Sequence, residues 1–372
     1  TENGVVSLSG KEGFTIGTKK GDFVFKPYML VQTSANINYY DDEGLDPAYN
    51  QDNIANSGFS IPYAILGFTG KAFNMVTFNL SINAAASGGG ILQQAWFDVK
   101  LKESFAIRVG KFKTPFAHAY LTTLGETLMP TLPVSLTAPV ILPYSLNAVT
   151  PNIGTGFDLG VEVHGLIKEK FGYEVGIFNG TGSSVNVASK TFSDDWHIPS
   201  LLYAGRITYM PKGVMPSNQG NPNRLKEDKI LFGLSTSLNV ESENESTNDY
   251  RAGAEFDMLK NRLYLNVGFT KRQKIDESYN YLGGYVQGGY FLTNRLQATA
   301  RYDFFNRNGV DTNGFLNMPA VGFNYFFTGC NLKLQAMYQF IGRTGHDTQL
   351  DRDNDDLGLA MHSGTVLLQY TF

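Results

Sequence analysis

Paired cysteines, long apolar runs and an excess of charge of either sign are all missing from this sequence of 372 residues. The single cysteine, Cys330, has no second thiol for an internal disulfide and no nearby ligands for a zinc site, so we interpret it as a chance residue in a turn. Lys and Arg total 30 against 34 Asp and Glu, and the net charge of -4 gives no reason to expect nucleic-acid binding.

An ordinary transmembrane helix is also excluded, because no stretch of 18 apolar residues lacks helix breakers. The nearest candidate, residues 129–149, is interrupted by Pro130, Pro133, Pro139 and Pro143. Mean hydropathy is slightly negative. Such a value suits a soluble protein and equally a transmembrane β-barrel, in which only alternate residues meet lipid. The start of the chain has no signal-peptide pattern, so we expect the numbering of a mature chain.

Glycine and aromatics are abundant, with 40 Gly, 27 Phe and 20 Tyr, and this composition favours strands and tight turns. Apolar and polar residues alternate with period two from Phe23 to Tyr40, which is longer than a typical globular strand. The same alternation returns in segments such as 157–164, 230–240, 263–270 and 296–304. Aromatics cluster near predicted strand ends, which is typical of an interfacial girdle.

Counting these segments predicts sixteen strands, an even number as in closed bacterial barrels. We place them near 22–40, 59–73, 75–87, 91–102, 105–114, 155–167, 171–180, 201–210, 229–242, 249–259, 262–273, 281–293, 295–305, 315–328, 331–343 and 359–372. Short and long connections alternate, except that 211–228 is long on the short side. Either that connection extends into the periplasm, or the strands on both sides of it have been placed in the wrong register.

The predicted fold is therefore all-β: a closed transmembrane barrel of 16 antiparallel strands over residues 22–372, with its last strand paired to its first. Residues 1–21 form an N-terminal periplasmic segment, in which 14–20 pairs as a short hairpin with the first strand. The longest connection, residues 115–154, is rich in proline and poor in charge. We expect it to fold into the lumen, since a long apolar loop is costly in water; covering the outer mouth or contacting another subunit are the alternatives.

Two stretches resemble the phosphate- and polyphosphate-selective porins, the O/P porin family: GFTIGTKKGDFVFKPYMLVQTS (13–34) and VGKFKTPF (109–116). The signature before that family's long third loop is matched by Gly110, Phe112, Lys113, Thr114, Pro115 and Phe116. The aromatic C-terminus is similar too. The resemblance implies an outer-membrane barrel, usually a homotrimer, whose third loop narrows the pore.

Successive residues of a strand face opposite sides of the sheet, so the alternation predicts which charged residues line that pore. Residues that face the same side are said to share parity. The basic residues predicted to line it are Lys26, Lys100, Arg108, Lys113, Arg206, Arg251, Arg301 and Arg343, and Lys333 shares their parity. The acidic residues are Asp98, Asp158, Glu162, Glu255, Asp257 and Asp303, with Glu174 of the same parity. Lys113 is included on the premise that Gly110 marks a β-bulge that turns it inward; otherwise it snorkels at the lipid interface.

The constriction loop contributes His118, Tyr120 and Glu126 as candidate pore residues. Residues 116–153 contain no Lys or Arg, whereas a phosphate filter needs basic side chains at its narrowest point. The sequence thus favours passive diffusion of small hydrophilic solutes and ions, with anion or phosphate preference as a subsidiary hypothesis. The alternative is an occluded scaffold barrel that docks other outer-membrane proteins.

Other chemistry has little support in the sequence. The five His residues do not cluster, and Asp351, Asp353 and Asp355 lack the Gly and Glu of a calcium loop, so we expect no metal site, no cofactor and no enzymatic activity. The end of the chain, VLLQYTF, places Val366, Leu368, Tyr370 and Phe372 on one face. Terminal Phe372 resembles the signal read by the bacterial outer-membrane assembly machinery, which would be a partner together with the lipid bilayer.

Overall fold

The computed structural model describes residues 5–7, 14–18, 20–41, 54–86, 91–141, 157–180, 201–240, 248–274, 280–306, 315–344 and 360–372. Two short strands come first, β1 (Val5–Ser7) and β2 (Ile16–Thr18). Sixteen further strands follow: β3 (Phe23–Asp41), β4 (Ile54–Ala72), β5 (Val76–Asn83), β6 (Leu92–Lys102), β7 (Phe105–Lys113), β8 (Phe157–Ile167), β9 (Phe171–Phe178), β10 (Leu202–Tyr209), β11 (Lys229–Asn239), β12 (Asp249–Lys260), β13 (Leu263–Lys274), β14 (Asn280–Phe291), β15 (Leu296–Asn306), β16 (Phe315–Thr328), β17 (Leu332–Thr344) and β18 (Ala360–Thr371).

Strands β3 to β18 form a closed antiparallel barrel, because each pairs with its neighbour in the chain and β18 pairs back onto β3. Phe372 extends that closing ladder by exchanging two backbone hydrogen bonds with Met29. Closure leaves no open edge, as the apolar interior of a bilayer demands. The predicted sixteen-stranded barrel is confirmed. β2 pairs with β3, and β1 pairs with β2.

The two faces of the barrel differ as the alternation predicts. The outward face exposes apolar side chains, among them Phe59, Ile61, Phe97, Val175, Leu234, Phe269, Val321 and Leu368. The inward face buries polar ones, among them Gln32, Asp98, Arg206, Asp257, Arg301, Asn324 and Gln335. An apolar exterior around a polar interior is the arrangement of outer-membrane barrels.

The connections divide the barrel into a short-turn end and a long-loop end. Turns such as 73–75, 103–104, 168–170 and 261–262 lie at the short-turn end. The 210–228 segment joins β10 to β11 at that same end, and the two strands pair without a register shift. The strand register there is therefore right, and the connection itself is long.

The third loop, residues 114–156 between β7 and β8, carries the described helices. These are α1 (His118–Leu121), a short 3₁₀ turn (Leu124–Glu126) and α2 (Val134–Ile141). Within the described residues no helix is long and apolar enough to cross a membrane. Residues 142–154 of the predicted constriction loop and the acidic stretch 346–358 lie outside the described residues.

Candidate functional site: the barrel lumen

The third loop runs along the inner wall of β11 to β18, where inward side chains donate hydrogen bonds to its carbonyl oxygens. Ser235 Oγ donates to Phe116 O at 2.5 Å, and Arg301 Nη1 donates to Thr131 O at 2.6 Å. Asn324 Nδ2 donates to Leu128 O at 2.8 Å and Lys333 Nζ to Thr127 O at 3.1 Å. Gln369 Nε2 donates to Gly125 O at 2.9 Å. Because the donors sit on β11, β15, β16, β17 and β18, this half of the wall is covered by the loop.

Helix α2 is fixed at its N-terminal end by Asp303 of β15. Asp303 Oδ2 accepts a hydrogen bond from the backbone N–H of Val134 at 2.5 Å, and Asp303 Oδ1 accepts one from the N–H of Ser135 at 3.3 Å. A carboxylate there satisfies free N–H groups and opposes the positive end of the helix dipole. The helix lies against β13, β14 and β15.

Two inward glycines make room for this packing. A Cβ at Gly253 would lie 2.7 Å from the Phe116 ring, and one at Gly283 would lie 2.6 Å from Ser135 Cβ and 3.1 Å from Ser135 Cα. Neither distance is compatible with an ordinary side chain. The glycines therefore let the loop approach the wall more closely than any other residue type would allow.

The 210–228 segment enters the lumen from the short-turn end and meets the third loop. The backbone N–H of Gln219 donates to Glu126 O at 3.0 Å, and Gln219 Oε1 accepts the N–H of Leu128 at 2.9 Å. Thr122 Oγ1 donates to Ser217 O at 3.1 Å. On the wall side, Gln297 Nε2 donates to Gly220 O at 2.6 Å. The segment is thus packed between the third loop and the barrel.

His118 lies where the loop, the wall and the 210–228 segment meet. Its Nδ1 is 3.2 Å from Asp257 Oδ1 and its Nε2 is 3.1 Å from Pro216 O, while its backbone N–H donates to Glu255 Oε2 at 2.5 Å. Burial disfavours the charged imidazole, but the Asp257 and Glu255 carboxylates outweigh that effect and raise the pKa of His118 above its ordinary value. Nearby, burial raises the pKa of the Tyr120 hydroxyl.

Charged side chains on the inner face of β6 to β12 form two groups. Arg108 donates to Asp98 Oδ2 through Nε at 3.1 Å and Nη2 at 2.9 Å, and its Nη1 lies 3.5 Å from Glu162 Oε1. His164 Nε2 lies 2.7 Å from the same Asp98 oxygen.

The second group is centred on Arg206. Its guanidinium bonds to Glu255 Oε1 at 2.7 Å and to Glu174 Oε2 at 2.9 Å. Arg108 and Glu174 each keep 27% of their side-chain surface exposed, so both face open space. The charges are largely compensated within the wall.

Two cavities lie between the third loop and the β3 to β10 part of the wall. One of about 440 Å³ is lined by aromatic and aliphatic side chains, by amides such as Gln93 and Gln94, and by Arg108 and Lys113. The other, about 420 Å³, is bounded by both charged groups, His118 and the 210–228 segment. Glu174 lines both cavities. The aromatic lining is Tyr28, Trp96, Phe112 and Phe157.

The structure distributes the predicted lining residues unevenly. Asp98, Lys100, Arg108, Lys113 and Arg206 line the cavities. Glu162 is buried, with its Oε1 3.5 Å from Arg108 Nη1. The others are committed elsewhere: Arg251 to Asp249, Arg301 and Lys333 to loop carbonyls, Asp303 to α2, Asp257 to His118 and Tyr264, Glu255 to Arg206, and Asp158 to the N–H of Gly180. Lys26 is partly exposed, and the side chain of Arg343 lies outside the described part.

Lys113 lines the lumen cavity, but without the β-bulge predicted at Gly110. The ladder passes Gly110 without a register shift, so the predicted bulge is wrong. Gly110 instead adopts φ 127°, and a Cβ there would lie 2.1 Å from Ala95 O. Lys113 Nζ donates to Tyr120 O at 2.6 Å and Thr122 O at 2.9 Å, which ties β7 to α1.

Among the loop candidates, Tyr120 is fully buried, whereas Glu126 accepts from Thr123 Oγ1 at 2.9 Å and Ser217 Oγ at 3.3 Å. Sequence reasoning missed the amides Gln32, Gln219, Gln297, Asn324 and Gln335, which hold the loop and the 210–228 segment. For the four on strands, Gln32, Gln297, Asn324 and Gln335, the inward position in the alternation was the available signal; Gln219 lies in a connection and has no such signal. In the described part of the chain, no three His, Cys, Asp or Glu side chains form a metal-binding group. Cys330 is a free thiol in the 329–331 turn.

Comparison with known proteins gives one family. The model of the family described as phosphate-selective porin O and P matches residues 31–372. An uncharacterized protein of Aquifex aeolicus (strain VF5) is 23% identical over 277 residues, covering 69% of this chain and 64% of that protein, so the match spans just under two thirds of the relative.

Solved structures show the same fold at low sequence identity. The anion-selective porin from Comamonas acidovorans aligns with TM-score 0.57 and 10% identity over 94% of this chain and 100% of its own. The outer membrane channel DcaP of Acinetobacter baumannii aligns with TM-score 0.57 and 12% identity over 97% and 99%. OmpT of Vibrio cholerae, in its trimer form, gives TM-score 0.52 and 10% identity over 94% and 99%.

Proposed function

Because the chain belongs to the phosphate-selective porin O and P family and is an outer-membrane porin, we propose that small hydrophilic solutes and ions cross it along the β3–β10 half of the lumen. The supporting observation is the pair of cavities on that side, which share Glu174 and lie between the third loop and the wall. The other half of the lumen is filled by the loop.

The proposed channel is a general one, without a dedicated phosphate filter. A desolvated phosphate needs several uncompensated donors at the narrowest point. Here Arg108 and Arg206 are each paired with carboxylates, and the Lys113 ammonium is bonded to two loop carbonyls. The third loop itself supplies no Lys or Arg between 116 and 153. Fields of both signs along the passage favour weak ion selectivity.

Single-channel recording of the purified protein in planar bilayers tests the proposal. We expect a steady open conductance and a small reversal potential in asymmetric KCl, with the current unchanged by added phosphate. Saturable block of the chloride current by millimolar phosphate would show a filter and overturn the general-diffusion assignment.

The second candidate is an occluded scaffold barrel. It is favoured by one observation: the third loop and the 210–228 segment both enter the lumen and bond to each other. Absent conductance, together with a stoichiometric partner that co-purifies from outer membranes, would establish this alternative in place of the channel.

We further propose that the porin is a homotrimer and that Phe372 is read during assembly. The outward face of the barrel carries large exposed apolar side chains such as Phe59, which is 93% exposed. Lipid or a neighbouring subunit would cover them. OmpT, a structural relative, has been solved as a trimer. Chemical crosslinking in the native membrane should give a three-subunit band; a monomer alone would exclude the trimer.

A further inference from the structure

Both ring nitrogens of His118 face hydrogen-bond acceptors. Nδ1 faces the Asp257 carboxylate at 3.2 Å, and Nε2 faces the Pro216 carbonyl at 3.1 Å. A neutral imidazole has one N–H and one lone pair, so it can donate to only one of them. Only the imidazolium, with two N–H groups, satisfies both contacts. The geometry therefore favours a charged His118 at this junction.

The surroundings of His118 favour that charge. β12 contributes Asp257 and Glu255, β10 contributes Arg206, and β13 contributes the Tyr264 hydroxyl, which donates to Asp257 Oδ1 at 2.7 Å. Arg206 opposes the charge, but it is neutralised by Glu255 and Glu174. The 210–228 segment presents the Pro216 carbonyl rather than a charged side chain.

The contact from His118 to Pro216 belongs to a larger seam between the two lumen segments. Thr122 bonds to Ser217 O, Gln219 bonds to both Glu126 O and the Leu128 N–H, and the Ser217 hydroxyl bonds to Glu126 Oε2. His118, Met215 and Ser217 also line the 420 Å³ cavity. A change in this seam therefore changes the wall of the passage.

We propose that residues 215–221 act as a latch that positions the third loop, closed by the His118 imidazolium bridging Asp257 and Pro216. Loss of the His118 proton removes one of the two bonds, loosens the loop and widens the passage. This inference rests on the proposed channel function, which it extends to a pH-dependent pore width.

The sign of the pH dependence follows from the environment of His118. The folded-state pKa is raised, so the latch contact is fully present below the ordinary His value of 6.5 and is lost as pH rises through the higher folded value. Conductance should accordingly stay low in acid and step upward above pH 6.5.

The experiment records single-channel conductance and open-state noise from about pH 5 to about pH 9, the range in which His titrates. Wild type should show the upward step. His118→Gln should conduct at the high-pH level throughout, without a step. The matched control is His362→Gln, because His362 lies on the outward face among Tyr39, Tyr338 and Phe340 and never meets the lumen. It should retain the wild-type profile.

Two variants separate the latch from a merely structural role. Asp257→Asn keeps an acceptor but removes the charge that favours imidazolium, so the midpoint of the step should fall by about one pH unit or more. Gln219→Ala removes a seam bond that does not titrate, so it should raise conductance at low pH while leaving the midpoint in place. An unmoved midpoint in Asp257→Asn, or a step that survives in His118→Gln, would overturn the proposal.

A readout independent of conduction keeps the two proposals apart. In a Cys330→Ser background, a nitroxide on Thr123→Cys reports the mobility of the exposed loop position beside the seam. Mobility should rise with pH in the protein with His118 and be high throughout in His118→Gln. A closed channel with this pH response would overturn only the channel function, whereas a conducting, pH-insensitive channel with constant label mobility would overturn only the latch.

Discussion

Asp303 of β15 holds the backbone N–H of Val134 at 2.5 Å, so a carboxylate on the barrel wall caps a helix of the third loop. The two residues are 169 positions apart. An acidic side chain that the strand alternation predicts to line the pore is thereby used to anchor the third loop. The wall and the loop are one hydrogen-bonded unit on this side of the lumen.

Removing the cap should loosen helix α2. Asp303→Ala deletes a capping interaction worth about 1 kcal/mol, so the amides at the start of α2 should exchange with solvent roughly five- to tenfold faster. Hydrogen exchange followed by mass spectrometry measures this. Asp228→Ala, which removes a carboxylate bonded to Lys212 at the short-turn end, serves as control and should leave α2 unchanged. Equal protection in the two variants would show that Asp303 does not fix the helix.

Gly283 should tolerate no side chain, because an added methyl meets the α2 backbone at Ser135. We expect Gly283→Ala to cost about 1–3 kcal/mol in the free energy of unfolding, as overpacked cores do. Denaturant titration of protein folded into lipid vesicles is the measurement. Gly205→Ala is the matched substitution, since its Cβ would meet nothing closer than 3.8 Å. If both variants were equally stable, the loop would not be seated against β14 at this glycine.

Arg108 should control the sign of the weak ion selectivity. Arg108→Gln leaves Asp98 and Glu162 without their cation beside the open passage. A unit charge about 7 Å from the ion path in water changes the energy of each ion by about 0.6 kcal/mol, in opposite directions for K⁺ and Cl⁻, so the K⁺ to Cl⁻ permeability ratio should rise about sevenfold. Reversal potentials in a KCl gradient give that ratio. Arg295→Gln, in the exposed 292–295 turn, should not alter it; a ratio that is also unchanged in Arg108→Gln would place the ion path elsewhere.

Phe372 should matter for insertion more than for the finished barrel. Its backbone completes the β18–β3 ladder with Met29, and the residue is 41% exposed. Phe372→Ala should lower the amount of folded protein in the outer membrane while synthesis stays normal, as measured by the heat-modifiable band in membrane fractions. Phe73→Ala changes another exposed aromatic at the short-turn end and should assemble normally. Normal assembly of Phe372→Ala would remove the assembly role.

The barrel could be predicted because its signal is local. Leu263, Leu265, Val267 and Phe269 alternate with Tyr264, Asn266 and Gly268, and the structure turns the first set outward and the second inward. Strand ends were harder to predict. β4 begins at Ile54 rather than near 59, because residues 54–58 of the predicted long connection pair with β3.

The lumen could be predicted only in part, because its contacts join residues far apart in the chain. The bond between Gln219 and Leu128 spans 91 positions, and the one between Lys333 and Thr127 spans 206. Parity shows that Lys333 points inward, but nothing near it in sequence shows that its charge is used on a loop carbonyl. The same holds for the 210–228 segment, whose Asn and Gln side chains carry no periodic pattern.

The pairing of β3 with β18 also constrains how the molecule comes into being. Gln32 Nε2 donates to Gln369 Oε1 at 2.8 Å across 337 positions, so the contact that closes the barrel waits until all the strands between them have been made. Closing so long a span costs entropy before any contact repays it, which makes this a slow step. Until then the edges of β3 and β18 are unpaired and the apolar outward face is uncovered. The nascent chain must therefore be shielded from aggregation until its final strand can be delivered to the membrane.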